Sequence, residues 1–289
     1  MGKQTILTFW EGEKWLVLTG LLGFVLAVIC GVWVMMYGGP VLPKGDVLKA
    51  FSFNAALGMF LLTTAAILPF SALGSRSRAV FRWVYILLAL YSYAAETVQN
   101  FRGVDPRFVK GGTPFDIWVG SIFTFVALLL VLFYVFAALS FFRRKAYQLR
   151  PELVVGIRYA MLAVILSFAA GIWISMNAGR YVGMHGNIIW LHGLGFHALQ
   201  VVPLIAWLSE NKIPKATGRK QIIHLTGIAY LIGLLTVGWQ TYLGQSLIQW
   251  SVLPVIALIC FLFTMAAGLR LLLQRKERAP RNKKTQLTL

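Results

Sequence analysis

Gly31-Val-Trp33-Val-Met-Met36 and Gly171-Ile-Trp173-Ile-Ser-Met176 stand 140 residues apart, each near the end of an apolar run long enough to cross a bilayer. Two further pairs keep almost the same spacing. Leu57-Gly58-Met-Phe60 answers to Leu194-Gly195-Phe-His197 at 137 residues. Val98-Gln99-Asn-Phe-Arg102-Gly103 answers to Trp239-Gln240-Thr-Tyr-Leu243-Gly244 at 141. Three matches in order, on corresponding spans, read as an internal duplication.

Working outward, apolar runs cover about 15–37, 49–73, 79–100, 115–142, 153–176, 187–208, 220–243 and 249–274. Each exceeds the roughly 17 to 20 residues that ~30 Å of hydrocarbon requires. Lipid offers the backbone no water, so every span is expected to be helical. Four spans per copy is an even number, so the copies insert the same way round and pack about an axis along the membrane normal. The expected fold is therefore an all-α polytopic membrane protein of eight transmembrane helices in two parallel four-helix repeats. Residues 1–148 form the first repeat, 149–274 the second and 275–289 a basic tail.

Composition agrees. The chain of 289 residues is 58% hydrophobic and only 12% charged, with a mean hydropathy of +0.74; charge at about half the globular norm would not cover a soluble surface. A net charge of +18 would suggest nucleic acid in a soluble protein. Here the cations lie between spans and in the tail, where orientation and anionic lipid headgroups account for them. With the N-terminus placed in the cytoplasm, 21 Lys and Arg fall on inner segments and 6 on outer loops. That bias sets both termini in the cytoplasm of a multi-pass plasma-membrane protein, with lipids as partners and no nucleic acid. Cys30 and Cys260 sit inside spans and read as small buried hydrophobes. No CxxC or CxxCH occurs, which removes the usual zinc and covalent-haem signatures.

The sixth span reads Asn187-Ile-Ile-Trp190-Leu-His192-Gly-Leu-Gly-Phe-His197-Ala-Leu-Gln200-Val-Val-Pro203. At 1.5 Å per residue, His192 lies about 8 Å and His197 about 15 Å below the outer end. Polar groups at that depth mark interior faces or wet cavities. His197 shares a face with Trp190, Gly193, Gln200 and Leu204, and His192 points ~140° away. In the copy, the 137-residue match puts Ala55 and Phe60 opposite the two histidines, so the first half packs without imidazoles. Histidines also glue membrane helices together by hydrogen bonds, which is the competing explanation. Glu96, with Gln99 and Asn100 on one face of the third span, is the one carboxylate expected inside the hydrocarbon; pairing with Arg102 or Arg107 is its structural explanation. Gln240 and Gln245 end the seventh span, His224 is expected near a headgroup, and His185 in a loop over the site. Pro69, Pro203 and Pro254 are expected to interrupt spans.

His192-x4-His197-Ala-Leu-Gln200-Val-Val-Pro203, followed by Trp239-Gln240-Thr-Tyr-Leu-Gly244-Gln245-Ser-Leu, resembles a family of bacterial polytopic membrane proteins. That resemblance brings no reaction with it. It implies an arginine before the glycine of the second motif, where this chain has Leu243; Arg102-Gly103 keeps it in the first copy. The four-plus-four plan is also similar to haem A synthase in architecture alone. The second, fourth and eighth spans lack histidines, so no haem ligands carry over.

Three functions compete at this stage. A redox protein would hold a haem or quinone in the outer half of the second bundle, through His192, His197, Gln200 and Gln240. A small-solute transporter would use Glu96 and the histidines as proton or ligand groups and the prolines as flexible points, and Glu96, Gln99, Arg102 and Gln245 make a second polar site. A membrane scaffold or sensor would use neither. The histidines and neighbouring glycines favour the first.

Overall fold

A computed structural model describes residues 7–109 and 111–274, so Lys3, Lys110 and the basic tail from Arg275 lie outside the described residues. Nine α-helices account for nearly all of the described chain. They are α1 (Lys14–Tyr37), α2 (Val47–Ile67), α3 (Ser75–Phe101), α4 (Pro114–Ser140), α5 (Arg144–Leu149), α6 (Pro151–Met176), α7 (Ile188–Lys212), α8 (Ala216–Tyr242) and α9 (Val252–Leu273). Seven of them are long and apolar enough to cross a membrane. The protein is thus an all-α membrane protein, as the composition requires.

The eighth long helix, α3, is the exception. Its 27 residues include Arg76, Arg78, Arg82 and Glu96, and its buried face carries Tyr85, Ser92, Tyr93, Glu96, Gln99 and Asn100. This helix hides polar groups inside, whereas its neighbours show apolar side chains outside. Leu87, Leu90 and Val98 form part of its exposed side.

Several expected boundaries shift for local reasons. α2 stops at Ile67 and passes into a 3-10 turn over Leu68–Phe70, with Pro69 in the turn. Pro254 falls in the first turn of α9, where a missing N–H costs nothing. Of the three prolines expected to break spans, only Pro203 lies inside a helix. The six-residue α5 between α4 and α6 was not anticipated.

α1 packs on α2, α3 on α4, α6 on α7 and α8 on α9. Two short antiparallel hairpins join the first helices of these sets. β1 (Pro40–Val41) pairs with β2 (Gly45–Asp46), and β3 (Tyr181–Val182) pairs with β4 (Gly186–Asn187). The same bonds recur around each. Asp46 accepts from Leu48 N and Asn187 from Ile189 N, capping α2 and α7. Val47 N donates to Gly39 O and Ile188 N to Arg180 O. Lys44 N reaches Gly103 O, and His185 N reaches Gly244 O. Gly103 and Gly244 hold φ of +79° and +70°, a conformation that favours glycine. At the opposite end Glu13 meets Arg78 at 3.4 Å, and Glu152 meets Arg219 at 3.1 Å.

This frame corrects one sequence alignment. Counted from their caps, α2 and α7 correspond at 141 residues, so Phe51 stands opposite His192 and Ala56 opposite His197. Packing agrees, because Gly31 faces Phe51 as Gly171 faces His192. The 137-residue match of Leu57-Gly58 with Leu194-Gly195 is one helical turn out of register.

α2 and α7 meet at the centre and run in the same direction. Phe60 lies 5.0 Å from Phe196, Thr63 bonds Gln200, and Phe9 bridges Phe70 and Trp207. Around that seam Phe60, Tyr134, Phe168 and Phe196 form a ring of edge-on and tilted contacts with centroids 4.6–5.6 Å apart. Such pairs add about 0.5–1.5 kcal/mol each beyond simple burial.

Candidate functional site

The residues expected to hold a cofactor are presented by α7 to different surroundings. His197 is exposed on the outside of the bundle, beside the α2 seam. Its Nδ1 lies 3.2 Å from the side-chain amide of Gln200. Turned so that its nitrogen faces Nδ1 and the main-chain oxygens of Phe196 and His197, that amide accepts at 2.9 Å from Thr63 Oγ1 through its oxygen. In that orientation the imidazole hydrogen falls on Nε2; in the other, Nδ1–H donates to Gln200 Oε1, and Gln200 Nε2 donates to Thr63 Oγ1, whose own hydrogen goes to Met59 O. In both, Nε2 has no hydrogen-bond partner among the described residues. One turn earlier, Gly193 leaves open space where a Cβ would stand. Trp190, 51% exposed, and Leu204 continue the same face. The result is an exposed face of α7 with an unpartnered imidazole nitrogen on it.

His192 does something else. Its ring lies between α6 and α7, with Nδ1 2.8 Å from Ser167 O. Ser167 Oγ in turn donates to His192 O in a short bond. Gly171 makes room for the ring, since a Cβ there would come within 2.9 Å of Cε1. Through Nδ1 and its main-chain oxygen this histidine fastens two helices. Gln240 is buried and donates to Ser246 O at 3.1 Å, closing the loop after α8. Gln245 continues that loop, with its N–H on Gln240 O. His185 contributes its main chain to the hairpin seat. His224 is exposed, 2.8 Å from Tyr159 Oη, beside an open groove of about 580 Å³ that also includes Lys220. His197 is therefore brought together with Gln200, and not with His192 or Gln240.

These positions do not fit a bis-histidine haem. The two α7 imidazoles diverge, one is already engaged by Ser167, and His224 lies toward the other end of the bundle. Nor do the described residues contain any group of three or more His, Cys, Asp or Glu side chains placed for a metal ion.

The densest polar cluster lies in the first half. Glu96 is fully buried and forms a short ion pair with Arg107 Nε. Asn100 Nδ2 donates to Glu96 Oε2 at 3.2 Å, and its Oδ1 accepts from Asp46 N at 2.9 Å. A neighbouring set joins Gln99, Arg102 and Asp116: Arg102 pairs with Asp116 at 3.0 Å and donates to Gln99 Oε1 at 2.8 Å. Of the two arginines named for Glu96, Arg107 is the partner and Arg102 serves Asp116. Asp116 also completes a capping box with Thr113 at the start of α4. In the loop, Lys49 meets Asp105 at 2.9 Å. Burial pushes the Asp105 carboxyl up. The bonds from Lys49 and Arg107 N, with both positive charges, outweigh that and hold it below its ordinary value.

Sequence reasoning missed Thr63, Asp116 and Asn54. Thr63 had no signal beyond being a threonine in a span. Asp116, three residues after Thr113 at a helix start, carried the capping pattern and was readable. Asn54, a lone amide in a membrane helix, was equally visible.

Fold and lipid-type surface together define an all-α integral membrane protein. No family model matches the chain, and neither a curated protein nor a solved structure matches it.

Proposed function

We propose that this protein docks a membrane quinone against the side of α7. The chain then crosses the plasma membrane eight times as two like-oriented four-helix units, α3 included, with both termini cytoplasmic. The observation that carries the docking is the unpartnered Nε2 of His197, read as the donor with Gln200 donating to Nδ1. It sits about 14 Å along α7 from Ile188, which is mid-membrane depth. A donor facing acyl chains has nothing to bond to and is costly there. A quinone travels in that layer and brings carbonyl acceptors on a flat ring. Gln200, itself fixed by Thr63, holds the imidazole hydrogen on Nε2. Gly193 leaves room for the ring, and Trp190 and Leu204 offer it apolar contact. A hydrogen bond to a quinone oxygen favours the reduced forms, whose oxygens carry more negative charge.

The recurring hairpin bonds, caps and terminal ion pairs support the two-unit reading, and the Lys and Arg distribution supports the orientation. Reporter fusions at both ends test the latter: opposite sides would reject an even number of crossings. For docking, a short-tailed ubiquinone is titrated into the protein in nanodiscs while Trp fluorescence is followed. Saturable quenching is expected, weakened roughly tenfold in His197→Phe, since one such bond contributes about 1–1.5 kcal/mol. His197 is exposed, so without quinone that variant should unfold no lower than the wild type. Absence of saturable quenching, or equal affinity in the variant, would reject quinone docking.

A further inference from the structure

Between α1, α2 and α3 the first half contains polar groups that the fold does not need. Asn54 is fully buried and its Nδ2 donates to Thr97 Oγ1 at 2.9 Å, with Cys30 Sγ at 3.8 Å. Its Oδ1 has no partner among the described residues. Tyr93, one turn before Thr97 on α3, is 1% exposed, and its hydroxyl is likewise unpartnered. That hydroxyl reaches α1: it and Asn54 O both lie within 2.8 Å of the point a Cβ of Gly23 would occupy. An orphaned hydroxyl from α3 and the main chain of the residue that bears the orphaned acceptor thus meet at one point of α1, deep in an apolar surrounding.

The corresponding contact in the second half has none of this. Gly195 stands for Asn54, Leu234 for Tyr93, Gly238 for Thr97 and Ala170 for Cys30. The same packing therefore works dry. Unmade hydrogen bonds are expensive in a buried site, and two side by side are rarely left so.

We propose that Asn54 and Tyr93 bind a water molecule between α1, α2 and α3, with Thr97 fixing the Asn54 amide. The guest must be small, neutral and able both to donate, to Asn54 Oδ1, and to accept or donate at Tyr93 Oη. No charged side chain among the described residues bonds Asn54 or Tyr93, so nothing in direct contact would balance the charge of an ion. Water meets every requirement. It would give the first half a hydrated interior one turn below Glu96, independent of whether a quinone docks on α7.

Tyr93→Phe separates the alternatives by sign. If a water bridges the two groups, losing the hydroxyl removes one of its anchors, and Tm falls by about 2–4 °C. In a dry contact the same change deletes an unmade bond, and Tm rises or stays level, which overturns the proposal. Infrared difference spectra of the full-length protein in H₂¹⁸O give a second reading. An isotope-sensitive O–H band of non-bulk water should be present in the wild type and lost in Tyr93→Phe. Should Tyr93→Phe not fold, absence of that band in the wild type alone overturns the site.

Discussion

Arg107→Ile should be the most damaging single change at the hairpin end, and Glu96→Val much milder. The two positions correspond to Ile248 and Val237 in the second half, so the substitutions copy side chains the fold already tolerates. Glu96 is fully buried, while Arg107 keeps about a third of its side-chain surface exposed at 34%. Removing the arginine strands a carboxylate whose one remaining side-chain donor is Asn100. Breaking a buried pair in this way costs about 3–5 kcal/mol. Arg107→Ile also gives up the stacking of the guanidinium 5.4 Å over Phe53. At a few degrees per kcal/mol, Tm should drop on the order of 10 °C. Glu96→Val instead leaves an arginine that can turn toward water, and the loss should be about 1–2 kcal/mol. The double variant strands nothing and should lie within about 1 kcal/mol of wild type, because hydrophobic replacement of a whole buried pair is often neutral. Thermal unfolding in detergent can be followed with a thiol-reactive dye in a Cys260→Ala background, since Cys30 is buried until the protein opens whereas Cys260 is partly exposed. Equal losses in the two single variants, or a double variant as weak as Arg107→Ile, would refute the assignment of the cost to a stranded Glu96 charge.

The hairpin seat gives a steric prediction. A Cβ on Gly45 would come 2.3 Å from Asn100 O and 2.6 Å from Gly103 Cα, both main chain, so Gly45→Ala should lower Tm by about 2–10 °C, on the scale of overpacking costs of about 1–3 kcal/mol; an unchanged Tm would mean the seat is loose. The Lys49–Asp105 pair gives a pH prediction. Asp105 is held below its ordinary value of 3.8 in the folded protein, so its contribution is full above that pH and fades as pH falls through the lower, folded value. The Tm difference between wild type and Asp105→Asn should be constant from about pH 8 to 5 and shrink below 3.8. A difference that grows on acidification would reverse the sign of the argument.

Sequence made the helices legible because lipid imposes one rule on the backbone and one on the side chains. Runs of about 20 apolar residues must be helical, and they are. Even α3, with four charged residues, was placed within a few residues of its observed bounds. Chain ends were less legible where local chemistry competes: the Leu68–Phe70 turn and α5 have no periodic signature. Register was harder still. Leu57-Gly58 and Leu194-Gly195 fall one helical turn away from the register of the caps Asp46 and Asn187, which align by geometry while differing in residue type. The side chains were least legible. Helical spacing separated His192 from His197, yet it could not say which one met protein. The answer depends on Ser167 and Gly171 on the neighbouring helix, and on Gln200 reaching Thr63.

Comparing the halves shows where the chain departs from what packing alone demands. The frame is shared: hairpins, caps, positive-φ glycines and terminal ion pairs recur. What differs is polarity inside that frame. The first half places Asn54, Tyr93, Thr97, Glu96 and Arg107 where the second has Gly195, Leu234, Gly238, Val237 and Ile248. The second half adds two imidazoles where the first has Phe51 and Ala56. Of these, His192 is consumed in holding α6 to α7, because both nitrogen and main chain are tied to Ser167. His197 Nε2, Asn54 Oδ1 and Tyr93 Oη each lack a partner among the described residues, and each lies where an unmade bond is expensive. The first opens to lipid and suits a guest dissolved in it; the other two are enclosed and suit a guest no larger than water. If packing were the reason for both, His197→Phe and Tyr93→Phe would stabilise the protein alike. With guests, only the enclosed position should register in Tm, and only the open one in ligand affinity.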